Sequence, residues 1–184
     1  MRGAFARFLL AVVLSALLGV CAGRDALIAT AAAESSGNWK ITEKTDPITG
    51  SPASTALLRS SKTMNSALAI TPAGYLQLGC FKGKPSVGLV FAFDVGNTKD
   101  SEFCYRFDAK PGRQIDPRFL SNHRTIVIEE KADVERFAAE LTASNVLLVQ
   151  IRSLTEGQTR AEFQVGGAQA AIDAAFAGCP LSTH

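Results

Sequence analysis

Histidine is scarce in this 184-residue chain: only His123 and His184 occur, and the second is the last residue. So few imidazoles leave little from which to build a metal centre or a nucleophile–base pair. There is no CxxC, no HxxxH and no G-x-S-x-G in the chain, which removes the common zinc and serine-hydrolase spacings. The stretch GCFKGKPS lacks the spacing of a phosphate loop and runs into a strand pattern instead of a helix. Glu129 and Glu130 are adjacent, so on a strand they point to opposite faces and cannot act as a close carboxylate pair. Internal repeats and low-complexity tracts are also missing. These absences predict no catalytic residues, no metal and no cofactor, and hence a protein that is not an enzyme.

Long apolar runs are rare too, and the one that stands out, Phe8 to Val20, lies near the start behind Arg2 and Arg7. That layout reads as an export signal over residues 1–33, too short for a comfortable membrane span of about 20 residues. Cleavage is expected after Ala33, or alternatively after Ala22. A lipid anchor on Cys21 would need a small residue where Val20 stands, and an uncleaved anchor would use Arg24 as its flanking charge. Loss of residues 1–33 takes three basic residues from 19 and one acidic residue from 17, leaving the two signs balanced. A balanced chain has no strong field for nucleic acid or an anionic membrane. About 150 residues remain, enough for a single domain, expected over 38–179.

That domain is dominated by short alternating segments separated by turn residues. WKITEK places Trp39, Ile41 and Glu43 on one face, and DPITGSP follows as a loop. TALLRSS and ALAITP read as the next strands. YLQLGCF, SVGLVFAFDV and SEFCYRF read as an antiparallel meander, because their connections are short. Residues 109–123, with two prolines and a glycine, read as a long surface loop before RTIVIEE. The period then changes: Val134, Phe137, Ala138 and Leu141 recur at helical spacing. NVLLVQIRS and TRAEFQV form a hairpin, and GGAQAAIDAAFAGC closes the chain as a helix that Gly178 is placed to stop. The expected class is mainly β or α+β: an antiparallel β-sandwich or curled sheet with two helices, at about 132–143 and 167–177.

Three cysteines survive processing: Cys80, Cys104 and Cys179. An oxidising compartment favours a disulfide among them. Pairing Cys80 with Cys179 would pin the last helix to a central strand and contribute about 4–5 kcal/mol in the chain-entropy model. Cys80 with Cys104 is the alternative, and it needs their strands to be neighbours. In the favoured pairing Cys104 is a spare thiol, expected as a small buried strand residue. On its strand, Phe103, Tyr105 and Phe107 share one face while Cys104, Arg106 and Asp108 share the other. Arg106 and Asp108 then suit an ion pair at a strand end, and Tyr105, Arg106 and Asp108 together form a possible interaction site.

The order of several fragments adds to this reading. Trp39 with DPITGS, then YLQLGC, CYRFD, ADVERFAAEL, VLLVQIR and AEFQVGGAQAAIDAAFAGC resembles the VasI-like family of small exported proteobacterial proteins associated with type VI secretion. The resemblance spans most of residues 38–179. It implies a non-enzymatic accessory protein, periplasmic or secreted, that acts on a protein partner in the cell envelope. The balanced charge predicts no nucleic-acid partner, and the short apolar run predicts no stable membrane span after processing. A second class of function also fits: a periplasmic small-molecule or glycan-binding module, its pocket lined by Trp39, Tyr75, Phe91 and Phe93.

Overall fold

The structure, a computed structural model, describes residues 38–181. The export-signal reading of residues 1–33 lies outside the described residues. Alternation of apolar and polar residues gives strands β1 (Lys40–Thr42), β2 (Thr55–Arg59), β3 (Lys62–Asn65), β4 (Tyr75–Phe81), β5 (Lys84–Val90), β6 (Ser101–Phe107), β7 (Arg113–Ile115), β8 (Arg118–Phe119) and β9 (Thr125–Ile128). Helix α1 (Lys131–Thr142), the hairpin β10 (Val146–Ser153) and β11 (Gly157–Gln164), and helix α2 (Ala168–Ala175) complete the order. The helices fall where the helical spacing predicts them.

Two sheets result, with strand orders β1-β2-β4-β5-β9-β8 and β3-β11-β10-β6-β7. Every named pairing is antiparallel. The mainly β architecture with two helices is as expected. Leu76, Leu78 and Leu89 from the first sheet share one core cluster with Phe103, Phe107 and Phe163 from the second. Helix α1 adds Phe137, whose ring lies 5.1 Å from both Tyr105 and Phe107 in edge-on contact. Burial of each such ring or leucine contributes roughly 1.5–3 kcal/mol. Helix α2 packs on β1, β2 and β4 and touches α1.

The chain changes sheets at places that the strand patterns alone do not reveal. Ser60 N–H donates to the Gly74 carbonyl beside the first sheet, while Ser61 N–H donates to the Glu162 carbonyl in the second. Buried Ser60 Oγ accepts the Gly74 N–H at 2.9 Å and bonds Thr63 Oγ1 at 2.7 Å. The corner therefore has its polar groups satisfied internally. The expected strand ALAITP is a loop, and its neighbour KTMN is the strand instead. Asn65 causes this: its Oδ1 accepts the Ala67 N–H at 2.7 Å, turning the chain. Its Nδ2 meanwhile ties the turn to Glu156 O at 3.0 Å and Thr159 Oγ1 at 2.9 Å.

The expected meander is also replaced. β4 pairs with β5, but β5 pairs next with β9, and β6 joins β10 in the other sheet. β5 ends at Val90, so residues 91–100 form a connection long enough to cross between sheets. Phe91 leaves the strand to lay its ring on Gly74, where a Cβ would come within 2.7 Å of the ring. The long loop expected over residues 109–123 contains β7 and β8, which belong to different sheets. It is a further crossing.

Candidate functional site

Strand β6 presents the alternation expected of it. Phe103, Tyr105 and Phe107 are buried, whereas Glu102 and Arg106 are exposed and Cys104 is half-buried. Tyr105 is 2% exposed. Its hydroxyl has no hydrogen-bond partner among the described residues, and burial pushes its pKa up to about 12. Its ring is part of the core and is not available for contact with a partner. Asp108 follows the strand in a left-handed conformation, φ 48°. Its Oδ1 accepts the backbone N–H of Val146 at 2.9 Å and of Asn145 at 3.1 Å. The Val146 bond, aided by that from Asn145, holds its carboxyl below the usual range. The expected Arg106–Asp108 pair is not among the ion pairs of the described residues. Asp108 instead fastens the end of β6 to the start of β10, and Arg106 alone of the three reaches out from the sheet.

Register shows what surrounds Arg106. One row across the second sheet runs Lys62, Glu162, Leu148, Arg106; the next runs Met64, Arg160, Gln150, Cys104, Gln114. These outward positions enclose a depression of about 420 Å³, with Lys62, Met64, Cys104, Arg106, Leu148 and Arg160 in its lining. Cys104 lies on the face expected for it but is only half-buried, which corrects the expectation of a buried thiol. His123 sits in the turn between β8 and β9 of the other sheet, its N–H bonded to Leu120 O at 3.0 Å, and the lining of the depression contains no histidine. Arg160 Nε leans on Gln150 Oε1 at 3.3 Å. Glu162 Oε1 accepts Gln164 Nε2 at 3.0 Å and Ser61 Oγ at 3.4 Å. Lys62, Arg106, Arg152 and Arg160 have no carboxylate within 4.0 Å among the described residues.

The opposite outer face is different in kind. On the first sheet Gln77, Gly88 and Val127 stand in one row, and its Arg118 is neutralised by two bonds to Glu129, 2.7 and 2.8 Å. Of the four aromatics expected as pocket walls, Tyr75 is half-buried on β4. Trp39 and Phe91 are buried in the core, and Phe93 packs on Phe91 with ring centres 5.6 Å apart. Trp39 Nε1–H donates to the Val165 carbonyl at 3.4 Å.

Cys80 and Cys179 stand at disulfide distance, with Cα atoms 5.9 Å apart across 99 positions of sequence. Cys104 is free and lies in the other sheet from Cys80. Lys62, Leu148 and Arg160 were not anticipated as site residues. An outward leucine in VLLVQIRS was the available signal, but strand order is needed to align it with the cations. Compared with protein-family models, with curated proteins and with solved structures, the chain matches none.

Proposed function

We propose that this chain is an exported accessory protein of the cell envelope that works by protein–protein contact, as one component serving a secretion apparatus. The observation that carries the reading is the solvent-open outer face of the second sheet, where Lys62, Arg106 and Arg160 line a depression and Arg152 stands farther along the same face, none with a carboxylate within 4.0 Å among the described residues. Interfaces favour arginine and an apolar centre, here Leu148 and Met64. The Cys80–Cys179 pair suits an oxidising compartment. No described helix is long and apolar enough to cross a membrane. The ordered likeness to VasI-like exported proteins supports the same role. The test is expression with the native leader, fractionation, and affinity capture after crosslinking in intact cells. A periplasmic or secreted product with a reproducible envelope partner is expected. Retention in the cytoplasm with Cys80 and Cys179 reduced, or capture of no specific protein, overturns the reading.

A further inference from the structure

We infer that the outer face of the second sheet is a docking groove for an extended acidic segment of a partner, with the pattern acid–x–apolar–x–acid, laid across the strands. The inference rests on the protein-contact reading above. The outward positions of this face hold four cations, Lys62, Arg106, Arg152 and Arg160, against two carboxylates, Glu102 and Glu162, so its local charge is positive although residues 34–184 as a whole are balanced.

Spacing decides the pattern. Lys62 and Arg106 end one register row and are separated by β11 and β10. Three inter-strand steps of about 4.8 Å set them roughly 14 Å apart. An extended chain rises about 3.4 Å per residue, so side chains at i and i+4 project from one side about 13–14 Å apart. Two carboxylates at that spacing reach both cations at once. Between them the row offers Leu148 and Glu162. The leucine favours an apolar residue at i+2, and the glutamate repels an acid there. Arg160, steadied by Gln150, and Met64 form the adjoining row on which the flanking residues rest. A compact anion would reach only one of the separated cations, so the spread of charge selects a chain over a small ion.

Fluorescence anisotropy on the purified chain tests this with a labelled peptide containing Glu-Ser-Leu-Ser-Glu. The controls are its Lys-Ser-Leu-Ser-Lys counterpart, a scrambled peptide with adjacent glutamates, and free glutamate as competitor. The acidic peptide is expected to bind best and to weaken as salt rises. Affinity should fall about tenfold in the Lys62→Glu/Arg106→Glu double variant, since both exposed ion pairs with the peptide are lost. Alkylation of Cys104, in the lining, should block binding, and Leu148→Glu should do the same if the thiol is slow to react. Equal binding of the basic or scrambled peptide, full competition by free glutamate, or undiminished binding by the double variant overturns the inference. Capture of the same envelope partner by wild type and double variant overturns the groove and leaves the accessory role standing. Peptide binding as expected, without any envelope partner, does the reverse.

Discussion

Tyr105 carries a hydroxyl that its surroundings do not use, which makes its energetic sign predictable. A buried hydroxyl without a partner costs about 1–3 kcal/mol in desolvation. Tyr105→Phe keeps the ring against Phe107 and Phe137 and removes the hydroxyl. The urea midpoint of the variant should equal or exceed that of wild type. The phenol also imposes a pH dependence. Its unfolded value is near 10 and its folded value about 12, so above pH 10 the unfolded state releases its proton first. Stability is complete below pH 10 and declines as pH rises towards 12; unfolding curves of Tyr105→Phe should lack that decline. Asp108 has the opposite sign. Its folded carboxyl is depressed by the Val146 and Asn145 amides, so its contribution is present above the usual carboxylate value and fades as pH falls through the folded one. Asn tolerates the left-handed backbone and keeps an acceptor oxygen, whereas Ala does neither. Melting temperatures at neutral pH should therefore rank wild type above Asp108→Asn, and that above Asp108→Ala. Alternation placed Tyr105 and Arg106 on opposite faces of the strand. It could not show that Asp108 turns back to the backbone, because that depends on a partner 38 positions away.

At the scale of elements, the two helices were legible because a period near 3.6 survives wherever a helix packs on a core. The sheet crossings were not, because strand patterns give each strand its faces but not its neighbours. Residues 91–95 illustrate this: FAFDV continues the apolar pattern of β5, yet Phe91 fills the space over Gly74 and ends the strand. By its place in the sequence Gly178 is expected to stop the last helix. The helix ends earlier, with Phe176 as its last cap. Gly178 is instead required by the carbonyl of Pro52, which a Cβ would strike. Gly178→Ala should therefore push the chain end away from residues 44–53 and cost about 1–3 kcal/mol, the usual range for overpacking, read as a lowered denaturant midpoint. The adjoining Cys80–Cys179 link closes a loop of 99 positions. Its removal in Cys80→Ala/Cys179→Ala should lower stability by about 4–5 kcal/mol in the chain-entropy model, while Cys104→Ser leaves the midpoint of unreduced protein nearly unchanged. The pair favoured from the sequence stands at disulfide distance, and Cys104 is kept from Cys80 by lying in the other sheet.

For the molecule as a whole, the candidate site is an outcome of strand order. Lys62, Leu148 and Arg106 lie on three strands and meet in one row only because β3 and β6 flank the β10–β11 hairpin. No local pattern carries that information, whereas the sandwich class follows from composition and alternation alone. The same order makes the two sheets energetically dependent. Their inner faces share one apolar cluster, Ser60 bonds Gly74 beside the first sheet while Ser61 bonds Glu162 of the second, and Phe137 packs on the aromatics of β6. Neither sheet keeps a dry face without the other, so unfolding should be a single cooperative step. Trp39 reports on this directly. It is the sole tryptophan, buried beside the short edge strand β1 of the first sheet, and its indole N–H reaches Val165, just past β11 of the second. Separation of the sheets would expose it. The urea transition followed by tryptophan emission should therefore coincide with that followed by far-ultraviolet circular dichroism, in wild type and in Gly178→Ala alike. An emission change that precedes the loss of strand signal would show that β1 and the first sheet detach on their own, and the single-core account would fail.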